Sequence, residues 1–197
     1  MNEDISKDME PDKDGYLDGQ ILIAMPTMSD PRFEKSIILL CAHGEDGAMG
    51  IVLNKNLDTL SFEDLLDQLN ISYEEYLGDL KVHFGGPVEA ERGFLLHTTD
   101  HVHETSIMID KDIALTATMD MLKSVAEGTG PQDCLLALGY SGWGPGQLER
   151  EIQENGWLVV DADTDLVFGK AVSCKWQNAI RKLGFDPSAL SGEIGHA

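Results

Sequence analysis

Two unbroken apolar runs, Gln20–Met25 and Ser36–Cys41, are separated by the turn-forming string P-T-M-S-D-P at 26–31. Short runs rich in isoleucine and leucine and separated by a turn-rich string predict strands. H-G-E-D-G at 43–47 predicts a tight reversal into a third strand, Ala48–Asn54, because Gly44 and Gly47 permit hairpin backbone angles. Ser61 and Asp64 then have the spacing of a capping box, and Phe62, Leu65, Leu66 and Leu69 form a helical stripe behind it. Further strands are expected at Lys81–Phe84, Gly93–His97, Thr105–Ile109, Cys134–Tyr140, Trp157–Val160 and Leu166–Phe168. Helices are expected over Thr116–Glu127, from about Gln147 to Glu154, and over Ser173–Leu183, where Gly184 stops the last one. Hairpin-like strand pairs with inserted helices predict an α+β fold.

Residues 1–15 are polar, acidic and without periodicity, which predicts a disordered tail ahead of a single domain over 16–197. The chain carries 14 basic against 35 acidic residues, a net charge of −21. Met1–Asp18 holds seven of the acids and two lysines, so most of the charge belongs to the domain. Such a surface repels phosphate backbones and argues against direct nucleic-acid binding. No apolar segment has the length of a membrane span and no basic-then-apolar leader opens the chain. Cys41, Cys134 and Cys174 lie far apart without C-x-x-C spacing, which fits a reduced, cytoplasmic protein.

Three strings hold the candidate chemistry. G-Y-S-G-W-G-P-G-Q-L-E at 139–149 reads as a buried strand, a glycine-rich turn and a helix. Ser141 invites comparison with the G-x-S-x-G nucleophile elbow, but Trp143 stands where the last glycine belongs, and no Asp–His pair is assignable by spacing. The same turn, with Trp143, Gln147 and Glu149, has the makeup of a pocket for a small ligand or partner. L-H-T-T-D-H-V-H-E at 96–104 places His97, His101 and His103 among carboxylates, which is metal-ligand chemistry, yet no separate ligand set of recognised spacing supports a dedicated site. F-G-G-P-V-E at 84–89 forces a specific backbone path through Gly85, Gly86 and Pro87. No G-x-G-x-x-G follows a strand and no P-loop is present. No cofactor is expected.

The order of these strings resembles the YqgE/AlgH family of bacterial proteins over nearly all of the chain after the acidic tail. The resemblance rests on L-I-A-M-P-T-M-S-D-P-R-F-E-K-S-I from Leu22, G-A-M-G-I-V-L-N-K from Gly47, F-G-G-P-V at Phe84 and R-G-F-L-L-H from Arg92. L-G-Y-S-G-W-G-P-G-Q-L-E from Leu138 and K-W-Q-N-A-I-R-K-L-G from Lys175 complete it. It implies a mixed sheet bent into a pseudo-barrel with flanking helices. It brings no established enzymatic activity and no agreed catalytic residues. The regulatory label carried by AlgH-like members concerns expression control, and without a helix-turn-helix here such a role would be indirect, through protein partners. Lys55-Asn56 departs from the Arg-Pro found in many relatives.

The leading expectation is a non-enzymatic binding or regulatory domain that contacts an unidentified protein or small ligand. Its surface would form where the Pro26–Phe33, Gly85–Pro87 and Ser141–Gln147 turns meet, with Phe33, Trp143 and Arg92 as anchors and Arg32, Asn54, His97 and Glu149 also contributing. The alternative is a hydrolase or other small-molecule enzyme using Ser141, His97 and Glu149 in one pocket, which requires a histidine nitrogen within hydrogen-bond reach of the serine hydroxyl. No catalytic residue is assigned.

Overall fold

The computed structural model describes residues 15–73 and 80–187. The expected acidic tail therefore lies, but for Gly15, outside the described residues. The chain opens with β1 (Gln20–Ala24), β2 (Ile37–Gly44), β3 (Gly47–Val52) and β4 (Asn56–Ser61), followed by α1 (Phe62–Gln68). Next come β5 (Lys81–Phe84), β6 (Val88–Thr98), β7 (Ile107–Met108), β8 (Ile113–Thr116), α2 (Met119–Ala126) and β9 (Cys134–Trp143). It ends with α3 (Gln147–Gln153), β10 (Trp157–Asp161), α4 (Thr164–Phe168) and α5 (Lys175–Lys182).

The strands form one curled sheet in the order β10-β1-β2-β3-β9-β6-β8-β7, with β5 joining β9 and β4 pairing with β5. The β5–β9 pair is parallel and the others are antiparallel. This is an α+β fold, a mixed sheet bent into a half-barrel with flanking helices. The apolar runs of β1 and β2 do not alternate because both faces are covered. Ile21, Ile23, Ile37 and Leu39 face a core closed by Val167, Trp176 and Ile180 of α4 and α5. Leu22, Ala24, Ile38 and Leu40 face a second layer built on Trp143, Leu148 and Trp157. A third cluster buries Phe62 and Leu66 of α1 and Met121 of α2 against Val82, Leu95 and Leu136.

The F-G-G-P string solves a connection problem. Leu136 of β9 pairs with Val82 of β5 and also with Leu95 of β6, so β5 and β6 lie on opposite edges of β9. Gly85, Gly86 and Pro87 are the whole link between them, and the backbone must cross β9 within those three residues. The crossing point admits no side chain. A Cβ on Gly85 would lie 2.1 Å from the Gly139 oxygen, and one on Gly86 would lie 2.1 Å from the Tyr140 carbonyl carbon.

Local expectations met the structure unevenly. The capping box forms as read, with Asp64 N donating to Ser61 Oγ at 3.0 Å and Ser61 N donating to Asp64 Oδ2 at 3.1 Å. The H-G-E-D-G reversal joins β2 to β3. The segment 166–168, expected as a strand, is part of helix α4, because Asp163 caps it by accepting from Leu166 N at 2.7 Å. The helix expected from Thr116 starts at Met119, since I-A-L-T at 113–116 pairs with β6 as β8. Strand β4 was not anticipated, and β6 begins at Val88, five residues before the expected strand.

Helix α5 brings Lys175 into the interior, only 3% exposed, where its ammonium donates to the Val167 carbonyl. Burial pulls its pKa down from 10.5 to about 8. Below pH 8 folded and unfolded chains both hold this proton. Between about pH 8 and 10.5 the unfolded chain holds more protons at this site, so the contribution of Lys175 to stability rises with pH across that window, while the buried thiols of Cys41 and Cys134 act in the opposite sense above pH 9. The rise is expected to be on the order of 2–3 kcal/mol. Lys175→Met should abolish it and be at least as stable as the wild type at pH 7. Urea unfolding of both proteins at pH 7 and pH 10 checks this, and a wild-type minus Lys175→Met difference that stays the same at the two pH values would refute it.

Candidate functional site

Helix α3 follows β9 after the turn Gly144–Gly146, in which Gly146 is left-handed at φ 66°. That turn is shorter than expected. Ser141 and Trp143 are strand residues, paired with Gly50 and Ala48 of β3. Alternation along β9 sends Trp143 to the α3 side, where Gln147 and Glu151, one helical turn apart, share a face. Glu151 ties the layer together. Its Oε2 accepts from the indole N–H of Trp143 at 2.9 Å and from that of Trp157 at 2.8 Å, and its Oε1 accepts from Gln147 Nε2 at 2.8 Å. Gly144 N completes the chain by donating to Gln147 Oε1 at 3.0 Å. One carboxylate thus holds two indoles edge to face, with ring centroids 5.9 Å apart and planes at 79°. Phe33 extends the aromatic row, 5.9 Å from Trp157.

These rings line a groove of about 580 Å³. Met28, Asp30, Arg32 and Phe33 come from one side, Pro87 from the crossing, and Gly142, Trp143, Gln147, Glu151 and the C-cap Glu154 from β9, α3 and its end. At its rim Arg32 forks onto Asp30, with Nε at 3.0 Å from Oδ1 and a terminal nitrogen at 2.7 Å from Oδ2. That contact holds the Asp30 carboxyl below the usual carboxylate range. The Arg32 guanidinium also lies 5.7 Å from the centre of the Phe33 ring.

Of the residues singled out in the sequence, Arg32, Phe33, Pro87, Trp143 and Gln147 meet in this groove, and Pro26 immediately precedes its Thr27 wall. The others serve elsewhere. Arg92 pairs with Glu89 at 3.0 Å and lies 5.0 Å from the Phe94 ring centre, in a neighbouring apolar cleft of about 610 Å³ that shares only Gly142 and Trp143 with the groove. Asn54 holds the left-handed turn at Lys35, accepting from Ile37 N at 2.9 Å and donating to the Lys35 carbonyl at 2.8 Å. Gly85 and Gly86 are buried in the crossing. Glu149 turns away to His43, 2.9 Å from its Nε2. Because His43 Nδ1 accepts from Leu17 N at 3.0 Å, Nε2 carries the proton and donates to Glu149. The groove residues missed in the sequence, Trp157 and Glu151 above all, sit on elements read correctly. The available signal was the i, i+4 spacing of Gln147 and Glu151.

The serine-hydrolase arrangement is not formed. Ser141 is fully buried, and its hydroxyl donates to the Gly85 carbonyl at 3.4 Å. His97 sits at the other end of β9, opposite Cys134, so seven strand residues, roughly 23 Å, separate it from Ser141. Its Nδ1–H donates to the Thr98 carbonyl at 2.9 Å, leaving Nε2 to accept from Thr116 Oγ1 at 2.8 Å. Burial lowers its pKa. No lone pair is left for general-base work, and Glu149 shares no pocket with either residue. His101 and His103 face each other with Nε2 atoms 3.3 Å apart, but among the described residues no group of three or more His, Cys, Asp or Glu could hold a metal ion. Burial raises the thiols of Cys41 to about 12 and Cys134 to about 11, which leaves them unreactive. No helix among the described residues is long and apolar enough to cross a membrane.

The family model described as AlgH-like (DUF179) matches residues 21–188, which span both walls of the groove. The chain belongs to the AlgH-like family. Among curated AlgH-like relatives, a UPF0301 protein of Bradyrhizobium diazoefficiens is 51% identical over 195 residues, covering 95% of this chain and 91% of the relative. A UPF0301 protein of Rhodospirillum rubrum is 51% identical over 184 residues, 93% of this chain and 96% of the relative. The solution structure of AlgH from Pseudomonas aeruginosa superposes with a TM-score of 0.77 at 35% identity, covering 96% of this chain and all of that one. A Corynebacterium diphtheriae protein shares the fold with a TM-score of 0.69 at 20% identity, over 89% of this chain and 90% of that one.

Proposed function

We infer that this AlgH-like chain is a non-enzymatic cytoplasmic binding domain whose working surface is the groove walled by Phe33, Trp143 and Trp157. The observation that carries this reading is the convergence of three distant segments, 27–33, Pro87 and 142–157, on a single groove whose indoles are held by one carboxylate. Aromatic side chains fixed in place lose little entropy on contact and make strong anchors. The Ser141–His97 alternative loses its basis, since each group is committed to a structural hydrogen bond. A role in expression control would run through a protein partner, because the acidity of the chain opposes DNA contact.

The test uses Phe33→Ala, which removes a half-buried rim ring and leaves the Trp143–Glu151–Trp157 set intact. Trp143 is 7% exposed and part of the core, so its removal would confuse binding with folding. Affinity capture from native lysate should lose a partner with Phe33→Ala while thermal melts of the two proteins agree. Identical captures would count against the groove.

A further inference from the structure

The groove has an unbalanced charge. Its titratable lining is Asp30, Arg32, Glu151 and Glu154. Arg32 is forked onto Asp30, so this pair cancels itself. Glu151 takes its three hydrogen bonds from neutral donors, two indoles and an amide. Those bonds hold the carboxylate in place without cancelling its charge. Glu154 adds a second, exposed carboxylate at the edge. Fixed negative charge therefore lies beside the half-buried Phe33 ring, and a planar cation can satisfy both by stacking on that ring while donating to carboxylate. The rim already holds such an arrangement in Arg32, set between Asp30 and the Phe33 ring.

We propose that the groove binds an arginine side chain presented by a basic segment of a protein partner. This rests on the binding reading above and adds the chemistry of the occupant. A guanidinium suits the site better than an ammonium because its flat face can lie on the half-buried Phe33 ring while its several N–H donors reach the exposed Glu154 carboxylate and the acceptor position that Glu151 Oε1 keeps beside its bond from Gln147. The net charge of −21 draws basic partners toward the protein from a distance. The groove then supplies the local selection that diffuse charge lacks.

The probe is a short acetylated peptide carrying two arginines spaced by glycine, compared with the same peptide in which citrulline replaces each arginine. Citrulline keeps the shape and removes the charge. Full-length ¹⁵N-labelled protein is titrated with each, and the two-dimensional spectrum is followed at the indole N–H groups of Trp143 and Trp157 and at the backbone of 27–33. The arginine peptide should shift these signals in a saturable way, with the citrulline peptide at least tenfold weaker. Glu154→Gln, an exposed substitution that leaves the indole clamp untouched, should weaken the arginine peptide about fivefold. Equal shifts from both peptides would overturn the cation inference and leave the groove as a binding surface. Shifts scattered over the acidic surface, without saturation at the groove, would overturn it as diffuse attraction. Silence of the groove signals toward both peptides would overturn the arginine inference, while the Phe33→Ala capture alone decides the binding reading.

Discussion

Gly86→Ala is expected to leave no natively packed domain. The added Cβ would sit 2.1 Å from the Tyr140 carbonyl carbon, 2.3 Å from its oxygen and 2.3 Å from Ser141 N, all backbone atoms of β9. No rotamer change relieves a clash of backbone with Cβ, so the crossing must lift off the strand. Lifting would also break the bonds that Gly85 makes on both sides, from its N–H to the Leu138 oxygen at 2.8 Å and from Val52 N to its own oxygen at 3.0 Å. Together these losses should exceed about 4 kcal/mol, a large share of the stability of a typical domain. The same substitution at Gly44, where nothing lies within 4 Å of the added methyl, should change stability by less than about 0.5 kcal/mol. Soluble yield and near-ultraviolet circular dichroism separate the two. A Gly86→Ala protein that melts like the wild type would mean that the crossing is not as tight as described.

The second large effect concerns Glu151. Glu151→Ala strips the acceptor from two indole N–H groups on residues only 7% and 3% exposed and frees the Gln147 amide. Buried donors left without a partner cost about 1–3 kcal/mol each, so a loss of about 4 kcal/mol is expected. In a domain of this size that lowers the melting temperature by roughly 10 °C. A double-mutant cycle distinguishes the clamp from general disruption. Trp143→Phe should cost less in the Glu151→Ala background than in the wild type, with a coupling of about 1–2 kcal/mol. Additive costs would show that the indole and the carboxylate do not depend on each other.

What the sequence could reveal follows from the range of the interactions involved. Ser61 and Asp64 are three residues apart, and their capping box was legible because both partners sit in one window. The hairpin between β2 and β3 was legible for the same reason. Helix α4 was misread because L-V-F at 166–168 has no period of its own, and only the Asp163 cap decides for helix. The groove was partly legible. Its glycine- and proline-rich strings marked the walls, but the indole of Trp157 is placed by β10 pairing with β1, a contact between chain ends that no local window contains. The glycines of F-G-G-P looked like ligand-contacting turn residues. They are crossing residues, and that role depends on β5 and β6 flanking the same strand. Ser141 was misassigned for a related reason: its turn-like neighbours are glycines of a strand, and its hydroxyl faces the crossing.

The pairing of β1 with β10 also sets a timetable for synthesis. Ile21–Ala24 bond to β2 as soon as the hairpin emerges, but their other edge waits for Trp157–Val160. At about 5–20 residues per second the ribosome needs on the order of ten seconds to deliver that partner. Throughout this interval a strand of sequence I-L-I-A presents unpaired amides to other nascent chains, the condition under which edge-to-edge aggregation starts. Asp12, Asp14 and Asp18 stand directly ahead of it in the sequence, where like charges on neighbouring chains repel one another. Charge just ahead of a strand is the arrangement that opposes edge-to-edge pairing, and here it is synthesised first, while the sheet still lacks its last strand.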